Sequence, residues 1–81
     1  MESEKYYNMV LGKLRGLRAE RNYSLGQVGE KIGVSRDALS LYENGKRKMP
    51  LIVAIKLLEF YNVEVDIFFT KIVDISSIRR V

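Results

Sequence analysis

The side chains in this sequence best suited to engage a partner chemically are its cations. Lys13, Arg15, Arg18 and Arg21 fall in one stretch, Arg36 stands in a second, and Lys46-Arg47-Lys48 form a run. Ammonium and guanidinium groups only donate, and they carry positive charge, so the partner they suit is a polyanion. Histidine and cysteine are both absent, which removes imidazole bases, thiolate nucleophiles, disulfides and thiolate zinc sites. The carboxylates gather at Glu2, Glu4 and from Glu59 to Asp74, in no paired or glycine-rich motif, so no enzyme, metal or cofactor is expected. The net charge of +4 and a sequence pI near 9.5 permit a polyanionic partner without naming it.

The elements that must position these cations centre on Ser24 to Asn44, SLGQVGEKIGVSRDALSLYEN. Ser24 followed by Gln27 is a capping-box signature, and Tyr23 and Val28 flank it at the spacing of a hydrophobic staple. The helix over 25–32 then offers Leu25, Val28, Gly29 and Ile32 on one face, and Gly33 ends it by tolerating the left-handed conformation. Ser35 caps a second helix over 36–44, with Val34 placed to staple onto Leu39 and Gly45 as the stop. Two capped helices joined by so short a turn form a helix-turn-helix, whose second helix can enter a DNA major groove.

The remaining residues read as further helices around that pair. Val10, Leu14, Leu17 and Arg21, with Leu11 beside them, give a helical stripe over 8–21, while Glu2 to Tyr7 has weak periodicity and is expected to fray. Gly12 and Gly16 each cost this helix on the order of 1 kcal/mol against alanine, a cost that close approach of a neighbouring helix would explain. Asn22 is read as its C-cap. Pro50 suits the first position of a helix over 50–61, on which Leu51, Ala54, Ile55, Leu58 and Tyr61 recur at helical spacing. Asp66 is read as the N-cap of a fifth helix over 66–75. The tail from Thr70 to Val81 fits helix through Phe68, Ile72, Ile75 and Ile78, or strand through its β-branched residues; helix is the expectation. No apolar run is long enough to span a bilayer, and Met1–Lys5 is acidic and polar rather than signal-like, so a cytoplasmic protein is expected.

From Leu11 to Phe69 the order LGKLRGLRAERN, SLGQVGEKIGVS, LSLYENGKRK, NVEVDIFF resembles the lambda-repressor/Cro-like helix-turn-helix proteins, the XRE family. The resemblance implies an all-α fold: a compact five-helix lambda-repressor-like helix-turn-helix domain, here with a short apolar C-terminal extension. It also implies a transcriptional regulator, a repressor, that binds a palindromic double-stranded DNA operator as a homodimer. The family's base-reading positions fall at Arg36, Asp37, Ser40 and Leu41. Arg36 could donate twice to guanine, Asp37 could accept from cytosine or support the helix N-terminus, and Leu41 could meet a thymine methyl. Arg18 and Glu43 match a pair that in relatives forms a salt bridge. Leu25 stands where the family usually has a glutamine that braces the recognition helix, so that clamp does not carry over to this chain.

Contacts that position rather than specify are expected from the caps Ser24 and Ser35 and from Asn44, Lys46, Arg47 and Lys48, aimed at phosphates. One reading head reads too few bases for tight binding, so a two-fold partner is expected. Its interface is assigned to Ile67, Phe69, Ile72, Ile75 and Ile78, with Phe68 left to the monomer core. Two other readings stay open: the DNA-binding amino-terminal piece of a longer regulator, running on beyond Arg79-Arg80-Val81, and an antitoxin-like protein-interaction module.

Overall fold

Five helices follow one another among the described residues: α1 (Glu2–Glu20), α2 (Leu25–Ile32), α3 (Arg36–Glu43), α4 (Leu51–Phe60) and α5 (Val65–Ile72). They come from a computed structural model that describes residues 2–72. The expected interface positions Ile75 and Ile78, the side chain of Ile72, and the choice between helix and strand beyond it lie outside the described residues. The fold is all-helical, with α2 packed on α3 and α4, and α1 packed on α3 and α5.

Local chemistry sets most of the helix ends. Ser24 Oγ accepts from the Gln27 N–H at 3.1 Å while Gln27 Oε1 accepts from the Ser24 N–H at 2.8 Å, so the capping box is complete and two orphan donors are satisfied. Ser35 Oγ accepts from the Ala38 N–H at 3.1 Å. Gly33 and Gly45 take left-handed φ values of 78° and 74°, and Asn22 and Asn62 do the same at 59° and 62°, where asparagine is the best-tolerated residue after glycine.

Three boundaries differ from the sequence reading. The first helix does not fray over Glu2–Tyr7 but starts at Glu2, because Tyr7 finds partners in a distant loop, described below. Pro50 is the N-cap of α4 rather than its first helical residue; its ψ of 145° is extended, and its carbonyl accepts from Val53 and Ala54. Asp66 lies inside α5 instead of capping it, since the Glu64 carbonyl already accepts from the Phe68 N–H at 2.9 Å. Its carboxylate accepts from the Ile67 N–H.

The core gathers Leu14 from α1, Val28 and Ile32 from α2, Leu39 from α3, Val53, Leu57 and Leu58 from α4, and Tyr61 and Phe68. Helix α4 is rotated relative to the expected stripe. Val53, Leu57 and Leu58 face inward, whereas Leu51 is 72% exposed and Ile55 39%. The run LIVAIKLLEF is apolar on nearly all sides, so periodicity could not choose the buried face, and packing against α2 did. Among the described residues no neighbouring helix comes within 4 Å of a Cβ built at Gly12 or Gly16; the tight glycine is Gly29, against the turn between α2 and α3. A Cβ at Gly29 would stand 2.4 Å from the Val34 carbonyl oxygen, while at Gly16 it would meet nothing within 4 Å among the described residues.

Tyr61 is buried, and its hydroxyl has no hydrogen-bond partner among the described residues. Burial, reinforced by the nearby Glu43 carboxylate and opposed by Arg18 and Arg21, pushes its pKa up to about 12 from 10.0. The unfolded chain ionises this phenol near pH 10, whereas the folded one holds its proton to about 12. Stability from Tyr61 is therefore complete below pH 10 and lost as pH rises toward 12, by about 3 kcal/mol in all. Tyr61→Phe lacks that loss, so denaturant midpoints of the two proteins should move apart in favour of phenylalanine between pH 10 and 12. A constant gap would show that the phenol ionises normally.

Candidate nucleic-acid interface

Helix α3 is held from behind by α1. Arg18 donates from Nε to both Glu43 carboxylate oxygens, at 3.2 and 3.0 Å, and from Nη2 to Oε1 at 3.0 Å. Its Nη1 donates to the Tyr23 carbonyl at 3.0 Å, so one guanidinium ties α1 to the α1–α2 turn and to the end of α3. The Glu43 side chain is 2% exposed and that of Arg18 22%. Charge-assisted, forked contacts of this kind are strong because the planar guanidinium needs little ordering to make them. Arg15 donates from Nη1 to the Glu43 carbonyl, satisfying an orphan acceptor at the helix C-terminus. Arg21 donates to the Tyr61 carbonyl at 3.2 Å and lies 5.5 Å from that ring centroid.

Arg15 and Arg18 on α1, and Arg21 just beyond its end, are thus engaged in internal bonds. Arg15 and Arg21 stay exposed, yet each also ties α1 or its end to another element; Arg21 falls on the stripe of Leu14 and Leu17, whereas nothing local in the sequence distinguishes Arg15 from Lys13.

With its inner side committed, α3 presents Arg36, Asp37, Ser40, Leu41 and Asn44 along the opposite face, as the 3.6-residue repeat dictates. Arg36 and Asp37 are exposed, with Nη1 and Oδ1 3.5 Å apart and side chains 67% and 92% accessible. Such an exposed pair is worth little, so Arg36 can leave it for a better acceptor. Ser40 is half-buried, and its carbonyl accepts from the Asn44 side-chain amide at 2.9 Å. Leu41 is half-buried, and its carbonyl accepts from the Lys46 and Arg47 N–H groups at 3.0 and 3.2 Å.

Lys46, Arg47 and Lys48 are exposed in the loop that follows. An eight-residue helix is about 12 Å long, so Arg36 and this cationic loop sit at opposite ends of one face. Ser24 and Ser35 are exposed, and each hydroxyl oxygen is occupied by a capping N–H, which leaves its own hydrogen to donate outward. Leu25 is half-buried against the core, and Gln27 Oε1 is committed to the cap. Neither supplies the polar clamp that the resemblance attaches to the start of α2.

Tyr7 is the residue the sequence reading missed. Its hydroxyl accepts from the Met49 N–H at 2.8 Å, and Lys48 Nζ lies 5.0 Å from its ring centroid. The signal was there: Tyr7 precedes Leu11 by four residues and Leu14 by seven, which extends the apolar stripe of α1 back by a turn.

This order of elements matches a family model described as helix-turn-helix, HTH_3, over residues 14–68. The chain belongs to the XRE-type helix-turn-helix family. Family relatives include proteins provisionally named as HTH-type transcriptional regulatory proteins. One from Methanosphaerula palustris is 46% identical over 57 residues, covering 70% of this chain and 18% of the relative. Another from Methanoregula boonei is 43% identical over 60 residues, covering 74% and 19%. A third from Pyrococcus furiosus is 38% identical over 64 residues, covering 74% and 20%. The match therefore spans no more than a fifth of these relatives' length. No solved structure matches the chain.

Proposed function

We propose that this chain is a sequence-specific double-stranded-DNA-binding transcriptional regulator, a repressor that binds a palindromic operator as a homodimer with α3 in the major groove. The observation that carries this reading is the division of α3 into two faces: one locked by Leu39, Glu43, Arg15 and Arg18, the other open with Arg36 exposed at its start. A helix held rigidly from behind fits a groove about 12 Å wide, where a guanidinium can donate to guanine O6 and N7.

Asp37 accepts from cytosine N4 or supports the helix N-terminus, Leu41 meets a thymine methyl, and Ser40 makes an undiscriminating polar contact. Ser24, Ser35, Asn44, Lys46, Arg47 and Lys48 hold phosphates and set the register. A cytoplasmic setting goes with DNA as partner, and no helix among the described residues is long and apolar enough to cross a membrane.

The homodimer rests on α5, where Ile67 is 48% exposed and Phe69 38%, beside a groove whose apolar lining of Leu17, Val63, Ile67 and Phe68 is flanked by Lys13 and Glu20. Sedimentation equilibrium at micromolar concentration, without and with operator, is expected to show a dimer at least on DNA; a monomer in both removes this part of the reading.

Selection from a random duplex library supplies the operator. On it, Arg36→Ala is expected to cost about 1–3 kcal/mol with little effect on random DNA. Lys46→Ala should weaken both alike and reduce the slope of log affinity against log salt by about 0.9. Unchanged operator affinity in both variants would remove α3 as the reading head. A protein-interaction module would show no steep salt dependence of this kind.

A further inference from the structure

The loop after α3 is pinned at both ends, and its far pin comes from the first turns of α1. At the near end, Gly45 turns the chain with φ 74° and the Leu41 carbonyl accepts from the Lys46 and Arg47 N–H groups. At the far end, Tyr7 accepts from the Met49 N–H at 2.8 Å, and Met49 packs against the core. Lys48 Nζ lies over the same ring, 5.0 Å from its centroid. A single side chain, 42 residues away in sequence, therefore holds both the backbone of the loop and one of its cations.

These two contacts are chemically independent. The hydrogen bond fixes where the loop backbone runs before Pro50 starts the approach to α4. The ring face attracts the ammonium through its quadrupole and restricts a flexible four-carbon stem that would otherwise sample many rotamers. An ordered cation loses less freedom when it meets a fixed phosphate than a free one does.

We infer that Tyr7 is a positioning residue for phosphate binding: it touches no DNA itself but sets Lys48 and the 46–48 loop against the backbone. This rests on the DNA-binding reading above. It also accounts for the helical order of Glu2–Tyr7, a segment with little apolar content of its own.

The test measures binding to a random-sequence duplex across a salt series for the wild type, Lys48→Ala, Tyr7→Phe, Tyr7→Leu and the double variant Tyr7→Leu/Lys48→Ala. Lys48→Ala is expected to reduce the salt slope by about 0.9, the value for one phosphate contact. Tyr7→Leu should reduce it by about the same amount, and the double variant should match Lys48→Ala alone. Tyr7→Phe keeps the ring and should restore the wild-type slope, while faster exchange of the Met49 amide reports the lost acceptor.

A purely structural brace would give Tyr7→Leu a lower melting temperature with the wild-type slope, and that result overturns the inference. So does an additive double variant. Should Tyr7→Leu fail to fold, Lys48→Ala decides: a wild-type salt slope in that variant shows that the cation held by Tyr7 meets no phosphate, and it overturns the inference. A wild-type protein whose duplex binding ignores salt, or is absent, instead defeats the DNA-binding reading itself.

Discussion

Arg18→Met is expected to destabilise the fold by about 3–5 kcal/mol, which for a domain of this size lowers the melting temperature by more than about 12 °C. The reason is the state in which it leaves Glu43. That carboxylate is 2% exposed, and Arg18 supplies three hydrogen bonds to it. Without the guanidinium, a buried charge loses its counter-ion and its donors together, and water cannot replace them. Methionine fills the stem volume, so the loss reports charge and hydrogen bonding rather than a cavity.

The same change releases the Tyr23 carbonyl, so the α1–α2 turn should loosen with it. Removing the stranded charge as well, in Arg18→Met/Glu43→Leu, should recover most of the stability, because two apolar groups leave nothing unpaired. Thermal melts and urea titrations of the two variants measure both effects. A loss below about 1 kcal/mol for Arg18→Met, the range of an exposed pair, would show that Glu43 is solvated.

Gly29→Ala is expected to cost about 3 kcal/mol through overpacking. The added methyl would stand 2.4 Å from the Val34 carbonyl oxygen, a backbone atom that cannot swing aside. Relief requires opening the turn between α2 and α3, where the Val34 N–H donates to the Gly29 carbonyl at 2.8 Å. The variant should therefore lose operator affinity beyond its loss of stability, since the angle of α3 changes.

Gly16→Ala is the matched control. Nothing lies within 4 Å of its Cβ position among the described residues, and alanine favours a helix interior by about 1 kcal/mol, so this variant should be more stable than the wild type. Urea midpoints of the pair decide it. Equal effects at the two positions would mean that helix propensity, not the close contact, governs Gly29.

Local pattern established the helical class, the helix-turn-helix unit and most of the stops. Ser24 and Gln27 are three residues apart, and the left-handed turns at Asn22, Gly33, Gly45 and Asn62 are properties of single residues. Interactions that close within one turn of chain are written in the order of residue types, so they can be read there. The buried face of α4 could not, because an element apolar all round offers no periodic contrast.

The division of labour among the cations was hidden for a different reason. Arg15 and Arg18 reach Glu43 across 28 and 25 residues, and Tyr7 reaches Met49 across 42. The Arg18–Glu43 pair is expected only through the family resemblance, Arg15 is given no such role by it, and a tyrosine near the chain start reads as frayed until the loop returns to it. Spacing places side chains on one helix; which helix lies opposite is a matter of packing, and packing gave Arg15, Arg18 and Arg21 acceptors on other elements, although Arg15 and Arg21 stay exposed like Arg36 and Lys46–Lys48.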